Sequence, residues 1–229
     1  MLQPAEWDAL RLSLAVALRS VALGLPFAVL VAWLLARSRL RGRLMLDAIV
    51  HLPLVLPPVV VGYLLLLVFG VRGPVGAWLD ATFGVQLAFT TAGAALATAV
   101  MSFPLMVRAI RLSLEAVDPG LEDAARTLGA GPLDRFLTIT LPLMLPGILA
   151  GAVIAFAAGL GEFGAVITFA ANVPGETQTL ALAIYGALQT PGGEPIAMRL
   201  ALLSMTIALL ALLAAEWLGR RARRWSTRS

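Results

Sequence analysis

The sequence predicts an all-α integral membrane protein with about five transmembrane helices, and three observations predict it. Of 229 residues, 60% are hydrophobic and 13% charged, whereas soluble domains run nearer about 45–50% apolar and about 25% charged. Apolar runs recur at about the 20-residue length that a helix needs to cross the hydrocarbon of a bilayer. The arginines cluster between those runs rather than within them. Mean hydropathy is +0.91, far too apolar for a disordered chain.

The first span covers Ser20 to Ala36, extended upstream through Leu12–Leu18 with Arg19 snorkelling. Ile49 to Phe69 forms the second, Ala88 to Val107 the third, Leu141 to about Leu160 the fourth, and about Leu200 to Trp217 the last. A sixth candidate, Phe163 to Leu188, is interrupted by Asn172, Pro174, Gly175, Glu176 and Gln178, and its apolar pieces suit a short or re-entrant segment. Arginine tests the count. With five spans, thirteen arginines fall on one side: Arg37, Arg39, Arg41, Arg43, Arg108, Arg111, Arg126, Arg135, Arg220, Arg221, Arg223, Arg224 and Arg228. Only Arg11, Arg19, Arg72 and Arg199 fall on the other. The positive-inside rule then places the N-terminus outside and the C-terminus in the cytoplasm. Glu6 and Asp8, with no basic segment before a short apolar core, argue against a cleavable signal peptide. No linker or low-complexity stretch divides residues 1–229, so one membrane domain is expected.

Composition also excludes chemistry. Zero Cys removes disulfides and cysteine-ligated metals, and a single His leaves no zinc-ligand set. All 17 basic residues are Arg, so a Schiff base and the lysine of a phosphate-binding loop are both impossible. Any ATP-driven step needs the nucleotide on another chain. No cofactor is expected, and the formal charge of +4 reflects membrane orientation rather than a nucleic-acid partner. With no carboxylate pair in the spans and no serine–lysine dyad, an intramembrane enzyme is disfavoured.

Span two reads HLPLVLPPVVVGY from His51 to Tyr63, with Pro53, Pro57, Pro58 and Gly62. Proline removes a helical hydrogen bond, and freed carbonyls in a bilayer need a neighbour or a water-filled cavity. Two readings stand: a kinked, packed helix, or an unwound one lining a pathway. Pro104, Pro142 and Pro146 raise the same question. Pro57 and Pro58 are therefore pathway candidates, as are Ser102 with Thr90, Thr91 and Thr98 as hydroxyl contacts. Glu162 is the acid closest to the hydrophobic end of a span, either functional or a helix cap. His51 reads as an interfacial hydrogen-bonding residue.

The segment from about 108 to 138, between spans three and four, is the longest cytoplasmic one. Asp118 followed by Pro119 reads as cap and first helical residue. Leu121, Ala124, Ala125 and Leu128 repeat at helical spacing, and Gly129 and Gly131 stop the helix. Pro132 opens a second, with Asp134 in its first turn. Four arginines face five acids here, a near-neutral, alanine-rich surface that suits a protein groove better than lipid.

Asp123-Ala124-Ala125, three residues to Gly129, and nine more to Ile139-Thr140-Leu141-Pro142 resemble the E-A-A-x(3)-G-x(9)-I-x-L-P signature of bacterial ABC importer permeases. The first position is Asp rather than Glu, which keeps the charge, and Glu122 stands beside it. HLPLVLPPVVVGYLLLLVFG (51–70), MSFPLMVRAIRLSLEAVD (101–118), EDAARTLGAG (122–131), GEFGAVITFAANVPGET (161–177) and QTPGGE (189–194) resemble molybdate ABC transporter permeases. Sulfate and thiosulfate permeases share several of these elements. The resemblance implies a homodimer, two cytoplasmic ATPase subunits, a periplasmic oxyanion-binding protein and an inner-membrane location. It assigns ATPase coupling to Glu122, Asp123, Ala124, Ala125, Gly129, Gly131, Leu141 and Pro142. A tungstate permease and an ATPase-independent secondary transporter or channel remain alternatives; inverted repeats, expected of many secondary transporters, are not visible.

Overall fold

The computed structural model describes residues 3–38 and 41–226, with backbone alone for 215, 216 and 218–226. Arg39 and Arg228 lie outside the described residues. All regular structure among them is helical: α1 Pro4–Arg37, α2 Arg43–Val55, α3 Pro58–Phe69, α4 Pro74–Phe83, α5 Thr91–Glu115, α6 Pro119–Thr127, α7 Pro132–Arg135, a π-helical turn Phe136–Thr140, α8 Leu141–Leu160, α9 Gly164–Ala170, α10 Leu180–Leu188 and α11 Glu194–Ser226. Helices α1, α5 and α11, and the run through α7 to α8, are each long and apolar enough to cross a membrane. Helices α2 and α3 together make a fifth candidate, bent by 116°.

That bend has a local cause. Leu56 and Pro57 each precede a proline, which disfavours the helical region for both. Both are extended, at φ −75°, ψ 144° and φ −55°, ψ 134°. The single prolines Pro26, Pro53, Pro104 and Pro146 sit within continuous helices instead. The consecutive pair breaks its span and these four isolated prolines do not break theirs.

Helix α5 is the central element. Its buried residues extend from one end to the other, Ala94, Ala95 and Ala97 packing with Val16, Val61, Leu65, Val166 and Phe169. Met106, Val107, Ile110 and Leu114 pack with Ala28, Ala32, Leu35, Met144 and Ile148. Val107, Ile110 and Leu114 continue one buried face past the point where charges begin. Span three therefore ends at Glu115 rather than Val107, and Arg108 and Arg111 belong to its last two turns. The charges ended the apolar run without ending the helix.

Against α5 lies a row of small residues on α8: Gly147, Gly151, Ala155 and Gly159. Built on Gly147, a Cβ would stand 2.2 Å from the Ser113 Cβ and 3.0 Å from the Ala109 carbonyl oxygen. On Gly159 it would meet the Thr98 methyl at 2.8 Å. Small residues at four-residue spacing let helix backbones approach closely, which is how apolar helices associate where no hydrophobic force separates them from lipid.

Two groups of polar contacts fix the sides. Arg37, ending α1, donates to the carbonyls of Val117 (3.1 Å) and Leu114 (3.4 Å) at the end of α5. Helix α5 crosses once, so the segment between α1 and α5 must also cross, and the bent pair α2–α3 is that crossing. Arg199, near the start of α11, pairs at 2.8 Å with Glu6 near the start of α1, a carboxylate only 3% exposed. Those two starts share a side, so residues 161–193 make no net crossing. Their helices α9 and α10, of 7 and 9 residues, reach roughly 10–14 Å at 1.5 Å per residue, well short of a bilayer. Five crossings result.

Candidate functional site

The segment joining α5 to α8 builds its geometry from local rules. The Asp118 carboxylate accepts the Gly120 N–H (2.8 Å) and Pro119 begins α6. At the other end Ala130 N–H donates to the Ala125 carbonyl (3.0 Å) and Gly129 N–H to that of Arg126 (3.1 Å). These are the paired bonds of a Schellman motif, and they require Gly129 to be left-handed, at φ +90°. The interval from Ala125 to Gly129 is thus the interval from the bonded carbonyl to the turn. Gly131, at φ −67°, does not stop α6 but precedes Pro132 as the cap position of α7.

Nothing in α6 is buried. Leu121, Leu128 and Leu133 are exposed, Leu128 at 88%. Ala124 is exposed and Ala125 half-buried. Asp123 is exposed and, among the described residues, pairs locally with Arg126 at 3.1 Å. Glu122 turns the other way. Its Oε1 accepts the Thr140 hydroxyl at 2.8 Å and lies 3.5 Å from the Arg37 guanidinium. Arg37, Glu122 and Thr140 therefore tie the ends of α1, α5 and the π-helical turn to α6. Elsewhere this segment stands off α1 across an open groove of about 570 Å³, between Val29, Leu30 and Trp33 on one side and Leu133 and Phe136 on the other.

Leu141 is half-buried and Pro142 exposed, at the start of α8. Pro142 has no N–H for the carbonyl four residues back, and its ring crowds that carbonyl; the preceding π-helical turn widens the helix there, closing with Leu141 N–H on the Phe136 carbonyl. Such turns recur at functional positions. Sequence reasoning missed Arg37 as a member of this site, taking it only as an orientation mark. No spacing rule links residues 80 or more apart.

The pathway candidates divide. Pro57 and Pro58 are exposed, and the break they make packs on the start of α9, just past the α8–α9 connection: a Cβ on Gly164 would be 2.7 Å from the Pro58 Cβ. Glu162 belongs to that connection, and its Oε1 accepts the Ala165 N–H at 2.9 Å, the capping alternative. Ser102 stands apart. It is 2% exposed and donates to the Thr98 carbonyl at 2.8 Å, within the seam between α5 and its neighbours. Thr90 caps α5 by accepting the Gly93 N–H (3.1 Å), and Thr91 donates to the Glu176 carbonyl (2.6 Å). Thr98 is fully buried. His51 donates from Nδ1 to the Asp47 carbonyl at 2.9 Å. Among the described residues no group of His, Cys, Asp or Glu side chains is placed to hold a metal ion.

Known proteins resemble this chain closely. It is 58% identical to the molybdenum transport system permease protein ModB of Escherichia coli, over 95% of each chain. It is 54% identical to the ModB of Haemophilus influenzae over 94% of each. The sulfate transport system permease protein CysT of Escherichia coli is 42% identical over 71% of this chain and 58% of its own. A crystal structure of a bacterial ABC transporter that imports the polysaccharide alginate has the same fold, with TM-score 0.76 at 20% identity, covering 96% of this chain and 80% of that one. The model of the binding-protein-dependent transport system inner membrane component family matches residues 24–224, and the chain belongs to that family.

Proposed function

We propose that this chain is the membrane-spanning subunit of an ATP-driven importer that carries molybdate across the bacterial inner membrane by alternating access. Support for the substrate is the identity with two molybdenum permeases along almost the whole chain, against the shorter and weaker likeness to a sulfate permease. In this reading two copies form the pathway between them, because five spans are few to enclose a hydrophilic route and a two-fold interface supplies the other wall. Two cytoplasmic ATPase subunits and a periplasmic oxyanion-binding protein complete the assembly, and lipid surrounds it. Residues 1–229 act as one transmembrane unit, with the N-terminus periplasmic and the C-terminus cytoplasmic.

The observation that carries the coupling mechanism is the exposed, uncovered surface of α6 and its turn. Leu121, Ala124, Leu128 and Leu133 would occupy a groove on the ATPase, while Glu122 holds the segment to the spans. When ATP closes the ATPase pair, the two coupling segments approach each other. Arg37 and Thr140 pass that displacement to α1, α5 and α8. The spans then exchange inward- for outward-facing states, a two-state element biased by a ligand bound elsewhere. Asp123 and Arg126 form the polar rim of the docked surface. Translocation of a dianion demands favourable entry without a trap, and selectivity is left largely to the binding protein.

The test is reconstitution of the chain with its ATPase and binding protein in proteoliposomes. ATP-dependent uptake of labelled molybdate that persists in excess sulfate is expected. Sulfate competing equally would move the assignment to the sulfate and thiosulfate class, and flux without the ATPase would mean a secondary transporter or channel.

A further inference from the structure

Away from the coupling segment, α2 and α5 enclose a polar groove of about 380 Å³, lined by Asp47, His51, Arg108, Arg111 and Glu115. Most of its charges are already matched. Arg111 donates from Nε to Glu115 at 2.8 Å and from a terminal nitrogen to Asp47 at 3.2 Å. Arg43 stands 3.8 Å from Glu115, and the Nδ1 of His51 is committed to Asp47. Arg108 is different. It is exposed and has no hydrogen-bond or ion-pair partner among the described residues. Three guanidinium groups thus face two carboxylates, leaving one cation in excess.

The depth of the groove limits what can cover it. Arg108 lies seven residues before the end of α5 and His51 eight after the start of α2, each about 10–12 Å along its helix at 1.5 Å per residue. Those two helix ends are on the same side, since Arg111 bridges them to Asp47. A charged groove at that depth does not face hydrocarbon, where ionised side chains are costly and mark ion pathways. The groove opens toward the coupling-segment ends of α2 and α5, with Arg108 exposed in it.

We propose that Arg108 is a transient contact for the translocated tetrahedral oxyanion on its way out of the pathway. This rests on the importer reading above and assigns its substrate a specific position in the chain. One uncompensated guanidinium offers a planar pair of donors that matches two oxygens of a tetrahedral anion. The two carboxylates beside it keep the site from holding a dianion tightly, which transit requires.

The experiment compares Arg108→Gln and Arg108→Lys with the wild type in proteoliposomes holding the whole transporter, measuring labelled molybdate uptake and ATP consumed together. Loss of one charge-assisted contact predicts that ATP consumed per molybdate imported rises about tenfold in Arg108→Gln. Arg108→Lys, which keeps the charge, should recover most of the loss. Equal ratios in all three proteins would overturn the proposal. So would an equal failure of both variants, which would mean a structural arginine. Each protein is assayed in phosphatidylcholine vesicles with and without phosphatidylglycerol. A defect confined to the anionic vesicles would assign Arg108 to a lipid headgroup and also overturn the proposal, whereas a defect in both supports it. If the wild type imports no oxyanion in either, the importer reading itself fails, whatever Arg108 does.

Discussion

Ala124 and Glu122 are two residues apart in α6 and answer to different neighbours. Ala124 is exposed, so a larger side chain there meets nothing within this subunit and interferes only with a docked partner. Ala124→Trp should leave thermal unfolding of the detergent-solubilised subunit unchanged while abolishing binding-protein-stimulated ATP hydrolysis and uptake. Retained stimulation would remove α6 from the coupling surface. Glu122 predicts a different pattern, because its carboxylate is bonded to Thr140 at 2.8 Å. Glu122→Ala and Thr140→Val should each weaken the segment's attachment, and a double-mutant cycle on unfolding should return about 1 kcal/mol of coupling, as expected for a partly buried hydrogen bond. A coupling energy near zero would make the contact incidental. At this scale the sequence was readable wherever a rule is local: Asp118-Pro119, Gly129 and Pro132 announce a cap, a left-handed turn and a new helix. The inward turn of Glu122 was not readable. It depends on Arg37 and Thr140 arriving from other segments.

Among the elements, the packing of α3 on α9 decides how the broken span is held. A Cβ on Gly62 would lie 2.7 Å from the Ala165 carbonyl oxygen and 2.8 Å from the Thr168 Cβ, so backbone meets backbone at that position and no flexible side chain can yield. Gly62→Val should lower the melting temperature of the solubilised protein by several degrees, an overpacking cost of about 1–3 kcal/mol. Gly42→Ala, in open space, is the control expected to change little. An unaltered melting temperature for Gly62→Val would mean that α3 and α9 separate freely. The position of the break was legible in Pro57-Pro58. Its 116° bend was not, because proline pairs forbid helix without choosing a direction, and the direction comes from the glycine contacts with α9. Span three shows the converse error. Arg108 and Arg111 suggested a loop, yet the buried face of Ile110 and Leu114 carried the helix to Glu115.

For the whole molecule, parity of crossings follows from two contacts, Arg37 with the end of α5 and Arg199 with Glu6, while the proposed absolute orientation rests on arginine asymmetry. The two arguments are independent, and one labelling experiment separates them. The chain has no Cys, so single-cysteine variants need no background removal. Thr82→Cys lies in α4, between the second and third crossings, and Leu128→Cys follows α6, between the third and fourth; both positions are exposed. In intact cells lacking the ATPase, a membrane-impermeant thiol reagent should label the cysteine at 82 and spare the one at 128 until the membrane is opened. The reverse pattern would keep five crossings and invert the protein, refuting the charge argument alone. Labelling of both from one side would mean that α5 does not separate them, and the crossing count would fail with it. The expected pattern requires the bent pair α2–α3 to return the chain to the outside. In the proposed orientation that return would put α6 and the Arg108 groove on the cytoplasmic face, within reach of the proposed ATPase and at the exit of an imported anion.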